Sequence, residues 1–190
     1  MEMLGLDPMD APFKKNAKFA DLDSLPDNKV GQIIDGDLYA SPRPAPDHQV
    51  MIGALFYELH PYMRNRSRDG WFLLIEAEVR FGRNLLIPDL AGWRRSRLPP
   101  RPWGPTMQIA PDWVCEGLSP STTWLDKGRK REIYAKAGVS HMWLAHPRNH
   151  EIDVMRLEGK RYSVVANVTR GRVVLEPFEK PINVDRLWEM

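Results

Sequence analysis

The sequence has few of the features that mark specialised classes of protein. It contains one cysteine in 190 residues, which excludes an internal disulfide and a cysteine-based zinc cluster. No apolar run approaches the roughly 18 residues that cross a bilayer. The first 15 residues are acidic and lack the apolar stretch of a secretory signal. We therefore expect no membrane span and a reducing, cytoplasmic location.

The sequence also lacks a large excess of charge of either sign. The net charge is only +2, so attraction of the whole surface to nucleic acid is not implied, and such binding needs locally arranged Lys and Arg. The hydrophobic fraction of 43% and the charged fraction of 27% are typical of a globular chain. We expect an N-terminal arm over residues 1–15 and a single domain over residues 16–190.

Hydrophobic periodicity predicts a mixed α/β fold in which helices flank a sheet. Helical spacing favours a long helix over residues 47–66, with Asp47 as its N-cap, and a second helix over residues 123–137. Between them, residues 84–93 and 113–118 are predicted to be strands. Asp35-Gly36 is a typical hairpin turn.

Asp89 is the first candidate functional residue. It follows Pro88 inside an apolar predicted strand, Leu85 to Trp93. A lone carboxylate is costly to bury without a partner such as a metal, and proline in a strand often marks a bulge near an active site. The alternative is a structural role, in which the carboxylate caps a loop at the end of a strand.

Glu116 is the second candidate, in the apolar segment Val114-Cys115-Glu116-Gly117-Leu118. Alternation along the strand places it on the face of Val114 and Leu118, while Gly117 lets another group approach the backbone. Carboxylates on neighbouring strands could bind a hard divalent cation. The alternative is an ion pair between Glu116 and an arginine in the sheet.

Lys130 is the third candidate. On a helical wheel it lies within one arc with Ile133, Tyr134 and Ala137, whereas the neighbouring basic residues point elsewhere. A lysine that faces inward needs an anion, and Glu116 with Asp89 could supply it. The alternative is a lysine whose stem packs on the protein while its ammonium reaches water.

The spacing of these residues favours phosphodiester chemistry. Ser119–Thr122 should begin the second helix close to the two acids, and a helix N-terminus favours a phosphate. Thr123 and Asp126 resemble a capping box at that helix end. Carboxylates that hold a metal, together with a lysine, are suited to phosphodiester hydrolysis.

Several motifs in this order resemble the Uma-two type endonuclease-like family of the PD-(D/E)XK nuclease superfamily, over roughly residues 15 to 188. The motifs are Ile34-Asp35-Gly36-Asp37-Leu38, Ser41-Pro42-Arg43-Pro44 to His48, Ile87-Pro88-Asp89, Cys115-Glu116-Gly117-Leu118-Ser119-Pro120-Ser121-Thr122, Asp126-Lys127-Gly128-Arg129-Lys130 to Tyr134-Ala135, and Ala137-Gly138-Val139-Ser140-His141-Met142-Trp143-Leu144 to Pro147.

The resemblance implies a restriction-endonuclease-like fold, with a central mixed sheet, and a Mg²⁺ or Mn²⁺ site at Asp89, Glu116 and Gly117. It implies that the catalytic lysine has moved from position 118, where this chain has a leucine, to Lys130 on the following helix. The family has an acid before the Ile-Asp-Gly run, where this chain has Gln32, so a negative charge is missing from the implied site.

The resemblance further implies DNA as the substrate, and a homodimer is expected because such nucleases often cut two strands symmetrically. His48 follows the family pattern; it either contacts the site or caps and packs the long helix, and we favour packing. One alternative is a module that keeps the fold and binds nucleic acid or protein without turnover, which Gln32 favours. A cysteine hydrolase built on Cys115 is disfavoured, since no adjacent group would lower the pKa of that thiol.

Some of the arginines and tryptophans could also contact nucleic acid. Arg94, Arg95, Arg97 and Arg101 form a local basic cluster that could follow a phosphate backbone or be a solvated loop. The seven tryptophans could stack on bases, but their positions in strands favour core packing.

Overall fold

The computed structural model describes residues 11–100, 104–119 and 123–189. The long helix α1 spans Pro46–Arg64. A second helical segment consists of α2 (Thr123–Leu125), a π-helical turn (Asp126–Lys130) and α3 (Arg131–Lys136); we call it the interrupted helix. Short 3₁₀ helices span Phe19–Ser24, Arg95–Arg97 and Asp185–Leu187.

The strands, in chain order, are β1 (Lys29–Ile34), β2 (Asp37–Pro42), β3 (Trp71–Ile75), β4 (Val79–Phe81), β5 (Asn84–Leu86), β6 (Leu90–Arg94), β7 (Trp113–Gly117), β8 (His141–His146), β9 (Glu151–Glu158), β10 (Arg161–Val168), β11 (Arg172–Val173) and β12 (Ile182–Asn183). Within the described residues they form a six-stranded sheet in the order β10-β9-β8-β7-β6-β3, a four-stranded sheet in the order β2-β1-β5-β4, and a β11-β12 pair.

The six-stranded sheet is mixed, as the sequence predicts. Its neighbouring strands are antiparallel except for β7 and β8, which are parallel and are connected through the interrupted helix. Parallel neighbours need such a crossover, because the chain must return to the same end of the sheet. The restriction-endonuclease-like α/β fold is therefore confirmed, with helices on both faces of the sheet.

Alternation along β7 separates the two cores. Trp113 and Cys115 point to the face covered by α1, where Leu55 and Leu59 are fully buried. Val114 points to the other face, against Tyr134 of the interrupted helix and the four-stranded sheet. Core packing is confirmed for four tryptophans, which are at most 2% exposed: Trp71, Trp93, Trp113 and Trp143.

Two details of α1 differ from the sequence prediction. Its N-cap is Ala45 and not Asp47, because Pro46 supplies the first helical position and needs no donor partner. Asp47 instead accepts a hydrogen bond from the main-chain N–H of His48. The helix also ends at Arg64, two residues before its predicted end at residue 66.

The predicted hairpin at Asp35-Gly36 is confirmed, and both residues have positive φ as its turn requires. Of the predicted N-terminal arm, residues 1–10 lie outside the described residues. Lys14 forms a bridge to Leu38 of β2, with main-chain distances of 3.2 and 2.8 Å. Among the described helices, none has the length and apolar character that a membrane crossing needs.

Candidate active site

Asp89 lies at a break between two strands and not inside one. The predicted continuous strand is wrong here: β5 belongs to the four-stranded sheet and β6 to the six-stranded sheet. Pro88 has no N–H to donate to a ladder, so the chain leaves one sheet and enters the other at this point. The carboxylate takes the place of a main-chain acceptor, because its Oδ2 accepts the N–H of Gly117 at 2.6 Å.

The position of Asp89 is fixed by two further contacts. Its Oδ1 lies 2.9 Å from Nε2 of His48, and its main-chain oxygen accepts the N–H of Glu76 at 3.0 Å. Glu76 itself has a φ of 47°. The register between β6 and β7 pairs Leu90 with Cys115, so Asp89 comes one position beyond the ladder, next to Glu116.

Glu116 is 1% exposed, and its partners are a lysine and a tyrosine. Its Oε1 lies 2.6 Å from Nζ of Lys130, and the hydroxyl of Tyr134 donates to the same oxygen at 2.6 Å. The predicted alternative of a sheet arginine is therefore wrong. Neither of these two contacts uses Oε2.

Lys130 faces inward, as the helical wheel predicts, and the alternative in which its ammonium reaches water is excluded by an exposure of 2%. Its Nζ lies 2.6 Å from Glu116 and 3.0 Å from Oδ1 of Asp126. Asp126 and Lys130 begin and end the π-helical turn. Such turns are rare and occur frequently at functional sites.

Asp126 is a buried residue of the site. It is 2% exposed and pairs with Lys130 one turn later. The predicted helix start and phosphate-binding N-terminus, Ser119–Thr122, lie partly outside the described residues; Thr123 donates to the main-chain oxygen of Ser119 at 3.0 Å.

Of the two roles considered for His48, the structure shows the contact with the site, so the favoured role of packing alone is wrong. The residue is 9% exposed, and its ring hydrogen-bonds Asp89. Burial lowers the pKa of His48, but the hydrogen bond and the charge of Asp89 outweigh it, and the net effect raises that pKa. A Cβ on Gly117 would lie 2.6 Å from Cε1 of His48, so only glycine leaves room for the ring.

All five candidate residues line one cavity of about 360 Å³: Gln32, Asp89, Glu116, Gly117 and Lys130. Gln32 reaches it from β1, where its Oε1 accepts the main-chain N–H of Ile87 at 2.9 Å. The cavity thus joins β1, the β5–β6 break, the end of β7 and the interrupted helix.

The electrostatics of the cavity favour a cation. Its described lining has five carboxylates (Asp47, Glu76, Asp89, Glu116 and Asp126) and three fixed cations (Arg43, Lys130 and Arg148). With His48 neutral, two negative charges remain when Glu116 is ionised and one remains when it is protonated. Burial raises the pKa of Glu116 to about 8, although Lys130 opposes the rise. Burial lowers the pKa of Lys130, but the carboxylates around it more than compensate, so the net change is upward and the ammonium stays charged.

The residues present fit a hard divalent cation. Asp89 and Glu116 offer carboxylate oxygens beside the main chain of Gly117, and Mg²⁺ is typically bound by one or two carboxylates with waters completing its shell. Within the described part of the chain, no group of three or more His, Cys, Asp or Glu side chains forms a ready cation cage. A cation bound here would therefore need water or substrate oxygens to complete its coordination shell.

Sequence reasoning missed two residues of this site, and it gave His48 the wrong role. Asp126, Lys130 and Tyr134 follow each other at intervals of four residues, which places them on one face of a helix. That spacing was the signal for Asp126 and for Tyr134, whose pKa is raised by burial and by Glu116.

The structure excludes a cysteine hydrolase and removes the predicted basic cluster from the site. Cys115 is fully buried, and burial raises the pKa of its thiol well above its usual range.

Arg94 and Arg95 lie over the rings of Trp71 and Phe72, while Arg97 pairs with Asp112 at 2.7 Å. These arginines follow the opposite end of β6 from Asp89, about 17 Å away at the usual rise per residue. Arg101 lies outside the described residues.

Comparisons with known proteins agree with this fold. The family Uma2, described as "Putative restriction endonuclease", matches residues 17–181. A solved structure described as a "putative nuclease belonging to DUF820", from Anabaena variabilis, superposes with a TM-score of 0.72 at 20% identity, covering 89% of this chain and 96% of that one. The curated proteins contain no match. Because the family match covers most of the chain, this protein belongs to the Uma2 family.

Proposed function

We propose that this chain is a Mg²⁺- or Mn²⁺-dependent endonuclease that hydrolyses phosphodiester bonds in DNA. The observation that supports it most is that Asp89, Glu116 and Lys130 line one cavity and that Lys130 contacts Glu116. The family description indicates a nuclease and hence a nucleic-acid substrate. DNA and the metal go beyond that description and are part of the proposal.

Asp89 and Glu116 would hold the cation, beside Gly117. When bound, a divalent cation neutralises phosphoryl oxygens and lowers the pKa of a water molecule. His48 holds one oxygen of Asp89, and Gly117 holds the other. The carboxylate is therefore oriented before any ligand arrives, which is how outer partners tune a metal site.

Lys130 would stabilise the negative charge that develops on the phosphoryl group, or orient the attacking water. Its ammonium is fixed by Glu116 and Asp126, so it needs little rearrangement during the reaction. Burial at 2% exposure excludes water and strengthens its electrostatic interactions. Tyr134 keeps Glu116 in place from the other side.

The test is cleavage of supercoiled plasmid with Mn²⁺ or Mg²⁺, for the wild type and for Asp89→Asn. The substitution keeps the size of the side chain and removes the negative charge. We expect nicking by the wild type, loss of at least 100-fold in the variant (on the order of one lost catalytic interaction), and no nicking in EDTA. Asp69→Asn, at an exposed acid away from this cavity, is the matched control and should nick normally.

A second candidate is a nuclease fold that binds nucleic acid without cutting it, and Gln32 is the observation that favours it. Its Oε1 accepts a hydrogen bond from Ile87, so this cavity-lining position contributes a neutral amide instead of a charge. Gln32→Glu separates the candidates, because a carboxylate can accept the same hydrogen bond. If the missing charge limits turnover, the variant should cut faster than the wild type, whereas the exposed control Gln108→Glu should not.

A homodimer is part of the proposal, because two copies could cut both strands of a duplex. Sedimentation of the free protein, together with the ratio of nicked to linear plasmid at early times, tests it. A dimer that acts on both strands produces linear product early, while a monomer accumulates nicked circles first.

A further inference from the structure

Arg43 and Arg148 stand apart from the other arginines of the described chain. Arg43 lies in the loop between β2 and α1, and Arg148 lies in the turn between β8 and β9. Both are exposed, and both line the cavity that contains Asp89 and Glu116. In the described residues, neither has a carboxylate within 4.0 Å, whereas Arg97 pairs with Asp112.

The loop of Arg43 has a fixed position relative to the cavity. Pro42 and Pro44 flank Arg43, and its Nε donates to the main-chain oxygen of Asp27 at 2.8 Å. That contact uses only Nε, so it does not involve the donors on Nη1 and Nη2. A guanidinium held in this way can offer its two Nη groups as a pair of donors to a phosphate.

Arg148 is placed by the parallel pairing of β7 and β8. Gly117 of β7 pairs with Ala145 of β8, so the turn that follows β8 lies beside the end of β7. Asp89 precedes β6, which lies on the other side of β7 from β8. Asp89 and the turn after β8 are therefore two strand spacings apart, about 10 Å. Arg148 therefore lies at the cavity mouth, beyond the acidic groups.

From this arrangement we infer that Arg43 and Arg148 bind the phosphates that flank the scissile one. The inference rests on the proposed function of the same cavity. Among the less exposed lining residues, the carboxylates of Asp89, Glu116 and Asp126 outnumber the ammonium of Lys130 and attract a cation. The exposed guanidinium groups of Arg43 and Arg148 suit phosphates, and the exposed carboxylates of Asp47 and Glu76 line the same cavity. A small diester has no flanking phosphate for either arginine to bind.

The test compares two substrates with Mn²⁺: a 20-nucleotide DNA strand and bis(4-nitrophenyl) phosphate, which has no flanking phosphate. The variants are Arg43→Gln, Arg148→Gln and the exposed control Arg66→Gln, which lies outside the cavity. We expect each cavity variant to raise KM for the strand several-fold and to reduce the slope of log KM against log salt by about 0.7, one phosphate contact. Hydrolysis of the small diester should stay at the wild-type rate.

Arg43→Lys distinguishes a phosphate contact from a role in holding the loop. It keeps the charge but loses the planar donor pair, so the salt slope should return while KM recovers only in part. Equal losses on both substrates, or an unchanged salt slope, would overturn the inference and leave the nuclease proposal standing. A wild type that hydrolyses neither substrate would overturn the proposed function and the inference with it.

Discussion

The ammonium group of Lys130 lies 2.6 Å from Oε1 of Glu116, and both side chains are almost fully buried. Their nearness joins the interrupted helix to the end of β7. Removing Lys130 would leave the carboxylate of Glu116 without its cation in a low-dielectric environment, whereas removing the charge of Glu116 would still leave Lys130 paired with Asp126 at 3.0 Å.

Lys130→Met should therefore destabilise the fold strongly. It leaves Glu116 and Asp126 buried without their cation, and breaking a buried pair in this way costs about 3–5 kcal/mol. Urea unfolding measures the change. The exposed pair of Lys136 and Glu132, 3.8 Å apart, supplies the matched control, and Lys136→Met should change stability by less than about 0.5 kcal/mol.

The double variant Lys130→Met/Glu116→Gln should regain part of that loss, because glutamine carries no charge and can still accept from Tyr134. A single Lys130→Met variant that unfolds at the same urea concentration as the wild type would show that the buried pair is not formed in solution.

Tyr134→Phe should shift the pH dependence of metal binding. The hydroxyl donates to Glu116 at 2.6 Å and so favours the ionised carboxylate, which a metal requires. Without it, the midpoint pH for Mn²⁺ binding should move upward, and the variant should lose about 1.5–3 kcal/mol of stability, typical of a hydrogen bond to a charged group.

Tyr162→Phe is the control for this change. Its hydroxyl is also buried and donates at 2.6 Å, but to the main-chain oxygen of Val139. It should lose stability and leave the Mn²⁺ midpoint unchanged. Equal midpoint shifts in both variants would mean that the shift comes from a general loss of stability and not from losing the contact between Tyr134 and Glu116.

Metal binding by the wild type should strengthen as the pH rises towards 8. Burial raises the pKa of Glu116 to about 8, so below that pH the carboxyl is mostly protonated and a cation must displace a proton. The affinity for Mn²⁺ should rise about tenfold per pH unit between pH 6 and 7.5 and level off above 8. Calorimetry at several pH values measures it, and an affinity that is flat from pH 6 to 9 would contradict the raised pKa.

His48→Gln should weaken Mn²⁺ binding about 10- to 100-fold, the usual effect of removing a partner that orients a metal ligand. The ring of His48 holds Oδ1 of Asp89 at 2.9 Å. His60 is an exposed histidine on the same helix, so His60→Gln tests for general effects on α1 and should bind Mn²⁺ normally. Equal affinity in the two variants would reduce His48 to a packing residue.

The sequence was informative where function depends on regular periodicity. The inward position of Lys130 and the face of Glu116 both follow from repeats that a helix or a strand imposes on its side chains. The hairpin at Asp35-Gly36 was equally predictable from its turn residues. These features are local, and their signals are contained in a few neighbouring residues.

The sequence failed where a contact depends on separate segments of the chain. The hydrogen bond between His48 and Asp89 joins residues 41 positions apart, and the helix pattern of α1 shows only that His48 shares a face with buried residues. The change of sheet at Pro88 could not be predicted because the segment is apolar on both sides. The π-helical turn had no predictable signal either, since it depends on how Asp126 and Lys130 meet Glu116 in the folded chain.

The most direct test of the account is the number of Mn²⁺ ions bound per chain, measured by electron paramagnetic resonance at pH 8. We predict one ion for the wild type and its loss, with the fold retained by circular dichroism, in both Asp89→Asn and Glu116→Gln. Wild-type binding in either variant would show that these two carboxylates do not hold a common ion.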